Sequence, residues 1–141
     1  LWQILDRFAS YGLPIQITEF DIDVDEEQVQ AAYTRDFLTA IFAHPAVKGF
    51  LMWGFWEGRH WKPQAAMFRR DWSLKPNAEA YYDLVFQQWW TDETGSTGED
   101  GTHTIRGFKG RYLVEVQAGD KTATAPVTLD AAGAAVTITI E

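Results

Sequence analysis

The 141 residues contain no cysteine. That excludes disulfides and thiolate metal sites, and it leaves the redox compartment open. Positive charge is scarce. Twelve Lys and Arg stand against 20 Asp and Glu, for a formal net charge of −8 and a pI near 4.8. Such a balance disfavours the phosphate backbone of nucleic acids and anionic membranes, so neither is an expected partner. A neutral or cationic ligand suits it better. No run of about 18 apolar residues occurs, so no membrane-spanning helix is expected. No signal peptide is visible and no Met opens the chain, which begins inside a helical pattern, "LWQILDRFASYG". The expectation is a fragment of a longer protein, with any export signal lying elsewhere.

What is present in quantity is aromatic surface. Aromatics make up 15% of the chain, with seven Trp. Trp is bulky, rarely fully buried, and often lines ligand surfaces.

The apolar spacing gives an order of elements. Leu1, Leu5 and Phe8 recur at helical spacing and Gly12 supplies a stop. In "PIQITEFDID" (residues 14–23) the chain alternates as a strand does, with Ile15, Ile17 and Glu19 on one face and Gln16 and Thr18 on the other. Asp25 is placed to cap the next helix, with Gln28 as its capping-box partner. Val29, Ala32, Tyr33, Phe37, Ala40 and Ile41 form that helix's apolar face, and Pro45 ends it near His44. "VKGFLMWGFW" then reads as a strand buried on both faces, as in a parallel sheet covered by helices. A long loop rich in Trp, Arg and His fills residues 54–76, and long loops in compact domains tend to be functional. Lys75-Pro76-Asn77 opens a last helix with Tyr81, Leu84 and Val85 inside.

Strands joined through a helix lie parallel in one sheet, and two of them cannot bury themselves. The fold class is therefore α/β, the end of a larger unit: most simply the last two βα units, strands seven and eight, of a (β/α)8 TIM barrel, which needs about 250 residues. The rest of the barrel has to come from a missing N-terminal part or from another copy of the chain, because open strand edges otherwise aggregate. "TDETGSTGEDGTH" reads as a linker over 91–103. Residues 104–141 read as a small antiparallel all-β domain of about four strands that docks on the barrel unit of residues 1–90. In its final stretch Val136, Ile138 and Ile140 face one way, and Thr137, Thr139 and Glu141 the other.

Catalytic groups of such barrels sit at the C-terminal ends of strands. Glu19 stands at one such end, although a carboxylate there is also at home as a solvated junction residue. The second strand delivers Trp53, Glu57, Arg59, His60, Trp61 and Lys62 just past its end. A carboxylate beside indoles is what a sugar site needs. Indole faces stack on the C–H faces of pyranose rings, and carboxylates bond hydroxyls or act at the anomeric carbon. A metal held by His60, Asp21, Asp23 and Glu57 is the weaker reading, because their spacing fits no recognised site. No metal and no cofactor are expected. His44 reads as a cap on the helix-end carbonyls, and Tyr112 and Phe108 as packing residues ahead of a carbohydrate face.

"ITEFDI", "GFLMWGFWEGRHWKP" and the closing "FRRDWSLKPNAEAYYDLV" resemble the seventh strand, eighth strand and final helix entry of family ten glycoside hydrolases, chiefly endo-1,4-β-xylanases. The resemblance covers about residues 1–90. It implies that Glu19 is the nucleophile of a retaining mechanism, that Trp53 and Trp61 line the glycone subsites, and that Asp21 orients the nucleophile's surroundings. Glu57, His60 and Lys62 stand where Asp, Ser and Arg are usual, which bears on xylan decoration. The acid/base Glu of the family follows an Asn, and no Asn-Glu pair occurs here, since Asn77 precedes Ala78. Glu57, on the adjacent loop, is a poor substitute. The partner implied is xylan or a xylo-oligosaccharide. The location implied is secreted or periplasmic, since the polymer does not enter cells. Two alternatives stand beside this reading: a non-catalytic sugar-binding or structural piece, and a retaining barrel glycosidase acting on mannan or β-glucan.

Overall fold

The computed structural model describes residues 1–140. The chain divides into two compact units, one ending at Gln88 and the other beginning at Trp89.

In the first unit, α1 (Trp2–Ala9) buries Leu5 and closes through Gly12, whose N–H reaches the Ala9 carbonyl at 2.9 Å and whose φ of 74° lies in the left-handed region that glycine enters without strain. Next comes β1 (Ile15–Phe20), then α2 (Glu27–Ala43), β2 (Val47–Met52), a short 3₁₀ turn at Pro63–Ala65, and α3 (Pro76–Asp83), which widens into a π-helical turn over Leu84–Gln88. The two strands pair parallel across the α2 crossover. Pro76 sits in the first turn of α3, where its missing N–H costs no helix bond.

The helices cover one side of the two-stranded sheet. Phe20 stacks on Phe37 of α2 at 4.6 Å and meets Phe50 of β2 at 5.3 Å, and Phe50 reaches Tyr81 of α3 at 6.5 Å. Because Ile17 pairs with Phe50, Ile17 lies on this covered side. The opposite side is open, with Leu51 exposed. The expectation that β2 is buried on both faces is therefore corrected to one face.

The face assignment in β1 is corrected as well. Ile15 and Ile17 are half-buried, Phe20 is buried, and Glu19 is exposed. The pairing register shifts between Ile17 and Phe20, as at a β-bulge. An extra residue reverses the alternation, so Glu19 leaves the side that Ile15 and Ile17 occupy.

Helix α2 starts one residue later than the capping pattern suggests. Glu26 is its N-cap and makes no side-chain cap bond. Its buried stripe is Gln30, Thr34, Leu38 and Ile41, while Val29 and Tyr33 are exposed. The stripe is turned toward α3 and the loop after β2, where the Gln30 amide finds carbonyl acceptors. A count of apolar residues cannot foresee that.

In the second unit, β3 (Gly110–Ala118) and β4 (Lys121–Leu129) form an antiparallel hairpin. Gly119, at φ 60°, and Asp120 make the two-residue turn, the tight connection that matches strand twist. Tyr112 donates its hydroxyl to the Phe108 carbonyl. The pattern had suggested about four strands. Among the described residues two are paired, and 131–140 carry no strand. Alternation of period two marks a chain able to extend but supplies no edge to pair with. Glu141 lies outside the described residues. No helix among the described residues is long and apolar enough to cross a membrane.

Candidate active site

The loops that follow β1 and β2 are tied together. Trp61 donates its indole N–H to Asp21 Oδ2 at 2.8 Å. Lys62 Nζ pairs with Asp23 Oδ2 at 2.8 Å, and the Gln64 amide donates to Asp23 Oδ1. The hydrogen bond from Lys62 holds the Asp23 carboxyl below the ordinary carboxylate range, and the same bond raises the Lys62 ammonium. Lys62 Nζ also stands 5.2 Å from the Trp61 ring centroid, a cation–π distance. Lys62 thus serves Asp23 and Trp61 at once.

Beneath both loops the fully buried Gln30 donates from Nε2 to the carbonyls of Ile22 at 3.1 Å, Val24 at 2.7 Å and Gln64 at 2.6 Å. Arg69 grips Glu27 through two bonds, the longer at 2.7 Å, and this lowers the Glu27 carboxyl. Lys75 is buried, donates to the Gln64 carbonyl and stands 3.9 Å from Glu27. Burial pushes its ammonium down, while Glu27 opposes the shift. Sequence reasoning missed this second layer. The Lys-Pro entry to α3 is visible in the sequence, but the carbonyl that Lys75 serves lies on another segment.

The His60 ring is buried. Its Nδ1 accepts the Lys62 backbone N–H at 3.0 Å, which in the neutral ring leaves the hydrogen on Nε2. Nε2 has no hydrogen-bond partner among the described residues and lies 3.9 Å from Asp21 Oδ2. Glycine at 54 makes room for this ring: a Cβ there would stand 2.6 Å from His60 Cδ2.

Above this layer opens a cleft of about 450 Å³ walled by the indoles of Trp53, Trp56, Trp61 and Trp72, with Phe55, Arg59 and His60. Trp53 and Trp61 share it, and Asp21, His60 and Lys62 brace it. Glu57 is turned elsewhere, since its Oε2 accepts the Arg70 backbone N–H at 3.0 Å and ties the loop's two arms. Glu19 does not line the cleft. It stands exposed at the end of β1, without a side-chain hydrogen bond or ion pair among the described residues. The Trp53 N–H donates to the Phe20 carbonyl at 2.9 Å, so Glu19 and Trp53 emerge from neighbouring strand ends held in step.

His44, read as a helix cap, is the C-cap of α2 and reaches the Ile41 carbonyl at 3.2 Å, but with its backbone N–H and not its ring. Its buried ring accepts the Ala46 N–H on Nδ1, faces Asp6 Oδ1 at 3.2 Å through Nε2, and meets Trp2 edge-on. A neighbouring-turn donor and a carboxylate from α1 compete better for it than the helix-end carbonyls. No group of three or more His, Asp or Glu suited to hold a metal occurs among the described residues.

Two parallel strands thus end side by side, one in a carboxylate and the next in an indole-lined cleft, within an α/β unit. Residues 1–85 match the family model of glycosyl hydrolase family 10, and the chain belongs to that family. It is 37% identical over 114 residues to the anti-sigma-I factor RsgI6 of Acetivibrio thermocellus, covering 80% of this chain and 15% of that protein. To endo-1,4-beta-xylanase 1 of Arabidopsis thaliana it is 33% identical over 119 residues, covering 79% and 12%. It also superposes on the crystal structure of xylanase 10B from Thermotoga petrophila RKU-1 in complex with xylobiose, with a TM-score of 0.53 and 28% identity, over 60% of this chain and 30% of that one. The chain therefore spans a minor part of each relative's length.

Proposed function

We propose that the whole protein is a retaining endo-1,4-β-xylanase and that these residues supply its nucleophile and part of its sugar cleft, as strands seven and eight of a (β/α)8 barrel. Residues 1–90 belong to that barrel, 91–103 link, and 104–141 form a separate β domain. Family membership supports the reading. The observation that carries it is the Phe20–Trp53 bond, which fixes Glu19 and an exposed indole at adjacent strand ends. Glu19 attacks the anomeric carbon and forms a glycosyl-enzyme. A second carboxyl group about 5–5.5 Å away protonates the leaving oxygen and then activates water. That acid/base group comes from outside these 141 residues, whose one Asn is followed by Ala78. The open side of the sheet, onto which Glu19 projects, is where the remaining barrel strands bring it. Trp53 and Trp61 stack on the glycone sugars, and Asp21 with Lys62 fixes the Trp61 ring. The substrate is xylan or a xylo-oligosaccharide, met outside the cell or in the periplasm.

The test is Glu19→Gln in the whole protein. Xylan turnover falls about a thousandfold or more while the circular dichroism spectrum stays unchanged. Wild-type turnover in that variant refutes the assignment. The isolated 141-residue chain shows no turnover on xylan, and measurable activity there means a second carboxylate lies within it. A panel of xylan, mannan and β-glucan separates xylanase from the other barrel glycosidases.

A further inference from the structure

The cleft that Trp53 and Trp61 line is also lined by a second pair of indoles, Trp56 and Trp72, which stack at 5.2 Å with their planes 9° apart. Three features set this pair apart from ordinary packing. First, Trp72 has φ 68°, and it is the only non-glycine residue at positive φ among the described residues. A bulky side chain in that conformation is a genuine outlier, and such strain gathers where a side chain must be held in one place for use. The turn that imposes it is firmly made: Arg69 and Ser73 pair across it, and Asp71 accepts from both the Ser73 N–H and hydroxyl. Second, the strain is not repaid by burial, since Trp72 is 57% exposed. Trp56 lies against one face, and Phe55 and Phe68 approach the ring at 6.3 and 6.0 Å, yet more than half of Trp72 stays exposed. Third, room is made for its partner. Any Cβ at Gly58 would collide with the six-membered ring of Trp56, so glycine there lets that ring lie flat under Trp72. The Trp56 indole N–H is fixed by the Arg70 carbonyl at 3.3 Å.

We infer that the Trp56–Trp72 pair is a further sugar-binding platform, which extends the cleft by one or more pyranose rings of a neutral β-linked chain beyond those held at Trp53 and Trp61. The inference rests on the proposed function for the identity of the sugar. A flat, exposed indole face is complementary to the C–H face of a pyranose and needs no charge on its ligand. That agrees with a chain whose net charge of −8 leaves uncharged polymers unrepelled. The occupant follows from continuity: one cleft holds both indole pairs, so a polymer seated on the first is led onto the second.

A distal platform adds affinity for long oligosaccharides alone, whereas a packing role affects all lengths or none. The experiment measures xylobiose and xylohexaose binding by calorimetry on the whole protein carrying Glu19→Gln, with and without Trp72→Gly and Gly58→Ala. Without them, xylohexaose binds more tightly. Trp72→Gly weakens xylohexaose by about tenfold and leaves xylobiose unchanged. Gly58→Ala, which displaces Trp56, does the same. Equal losses for both lengths, or an undiminished length preference in both variants, overturns the platform. So does a dimer in sedimentation velocity that Trp72→Gly abolishes, which would make the pair a contact between copies of the chain. If manno-oligosaccharides replace xylo-oligosaccharides as the ligand and Trp72→Gly still removes the length preference, the platform stands and the xylan assignment falls. Cleavage in the Glu19→Gln background counts against the nucleophile, and the same length preference is then read from KM.

Discussion

Trp61 donates its indole N–H to Asp21 at 2.8 Å, across 40 residues of chain. The bond joins the loop after one strand to the loop after the next. It also gives Asp21 a definite task, which is to hold an indole that is 65% exposed in one orientation. A stacking ring is useful to a ligand only if its plane is set in advance, because ordering it on binding costs free energy.

If that orientation matters, Asp21→Ala and Trp61→Phe should each weaken xylo-oligosaccharide binding by about tenfold. The first frees the indole and the second keeps a ring without the N–H. The double variant should lose little more than either single one, because both break the same bond. Calorimetric titration of all four proteins checks this, and full additivity would mean the two residues act separately.

Gln30 holds the floor of the site by donating to three backbone carbonyls from a fully buried position. Gln30→Met fills the same space and takes the donor from the Ile22 and Val24 carbonyls, while Lys75 still serves that of Gln64, at a cost of about 2–4 kcal/mol. Gln30→Glu should be worse near neutral pH, since a carboxylate placed among carbonyl oxygens cannot donate. Urea unfolding monitored by Trp fluorescence ranks the three proteins.

Gly54 and His60 occupy one space. Gly54→Ala places a methyl 2.6 Å from the buried imidazole, and the overpacking should cost about 1–3 kcal/mol. The φ of 157° at Gly54 strains any side chain as well, so His60→Ser, which removes the ring, should restore only the overpacking share of the loss. A thermal-melt cycle over the four combinations reads this coupling, and a Gly54→Ala penalty of the same size with and without the ring would contradict it.

Acid should loosen the second layer of the site. The Glu27 carboxyl lies below its ordinary value of 4.5, chiefly because Arg69 bonds to it. The unfolded chain therefore takes up this proton at higher pH than the folded one. The contribution is complete above the ordinary glutamate range and is lost as pH falls through the lower folded value. Glu27→Gln should lower the melting temperature at pH 7 and narrow the gap to the parent as pH drops below about 4. Melts at a series of pH values measure that gap, and a gap constant with pH would refute the pair's role.

Much of this was open to reading in the sequence. Helical spacing placed α1, α2 and α3. Parallel pairing followed from the strand–helix–strand order, and the Glu19 and Trp53 strand ends stood out by residue type. The failures are equally physical. A bulge between Ile17 and Phe20 reversed the face of Glu19, and no hydrophobic pattern announces a bulge. Gln30 and Thr34 occupy the buried stripe that apolar counting gave to Val29 and Tyr33. The final alternating stretch, 135–140, extends without a strand partner among the described residues.

The sequence by itself determined which elements form and which chemical groups lie at the strand ends, because both depend on short-range spacing and residue type. Only the tertiary structure decided that Asp21 braces Trp61, that Glu57 is spent on the Arg70 backbone, and that Trp56 lies stacked on a strained Trp72. Those relationships join atoms far apart along the chain or depend on a single backbone torsion, and neither leaves a periodic trace in the order of residues.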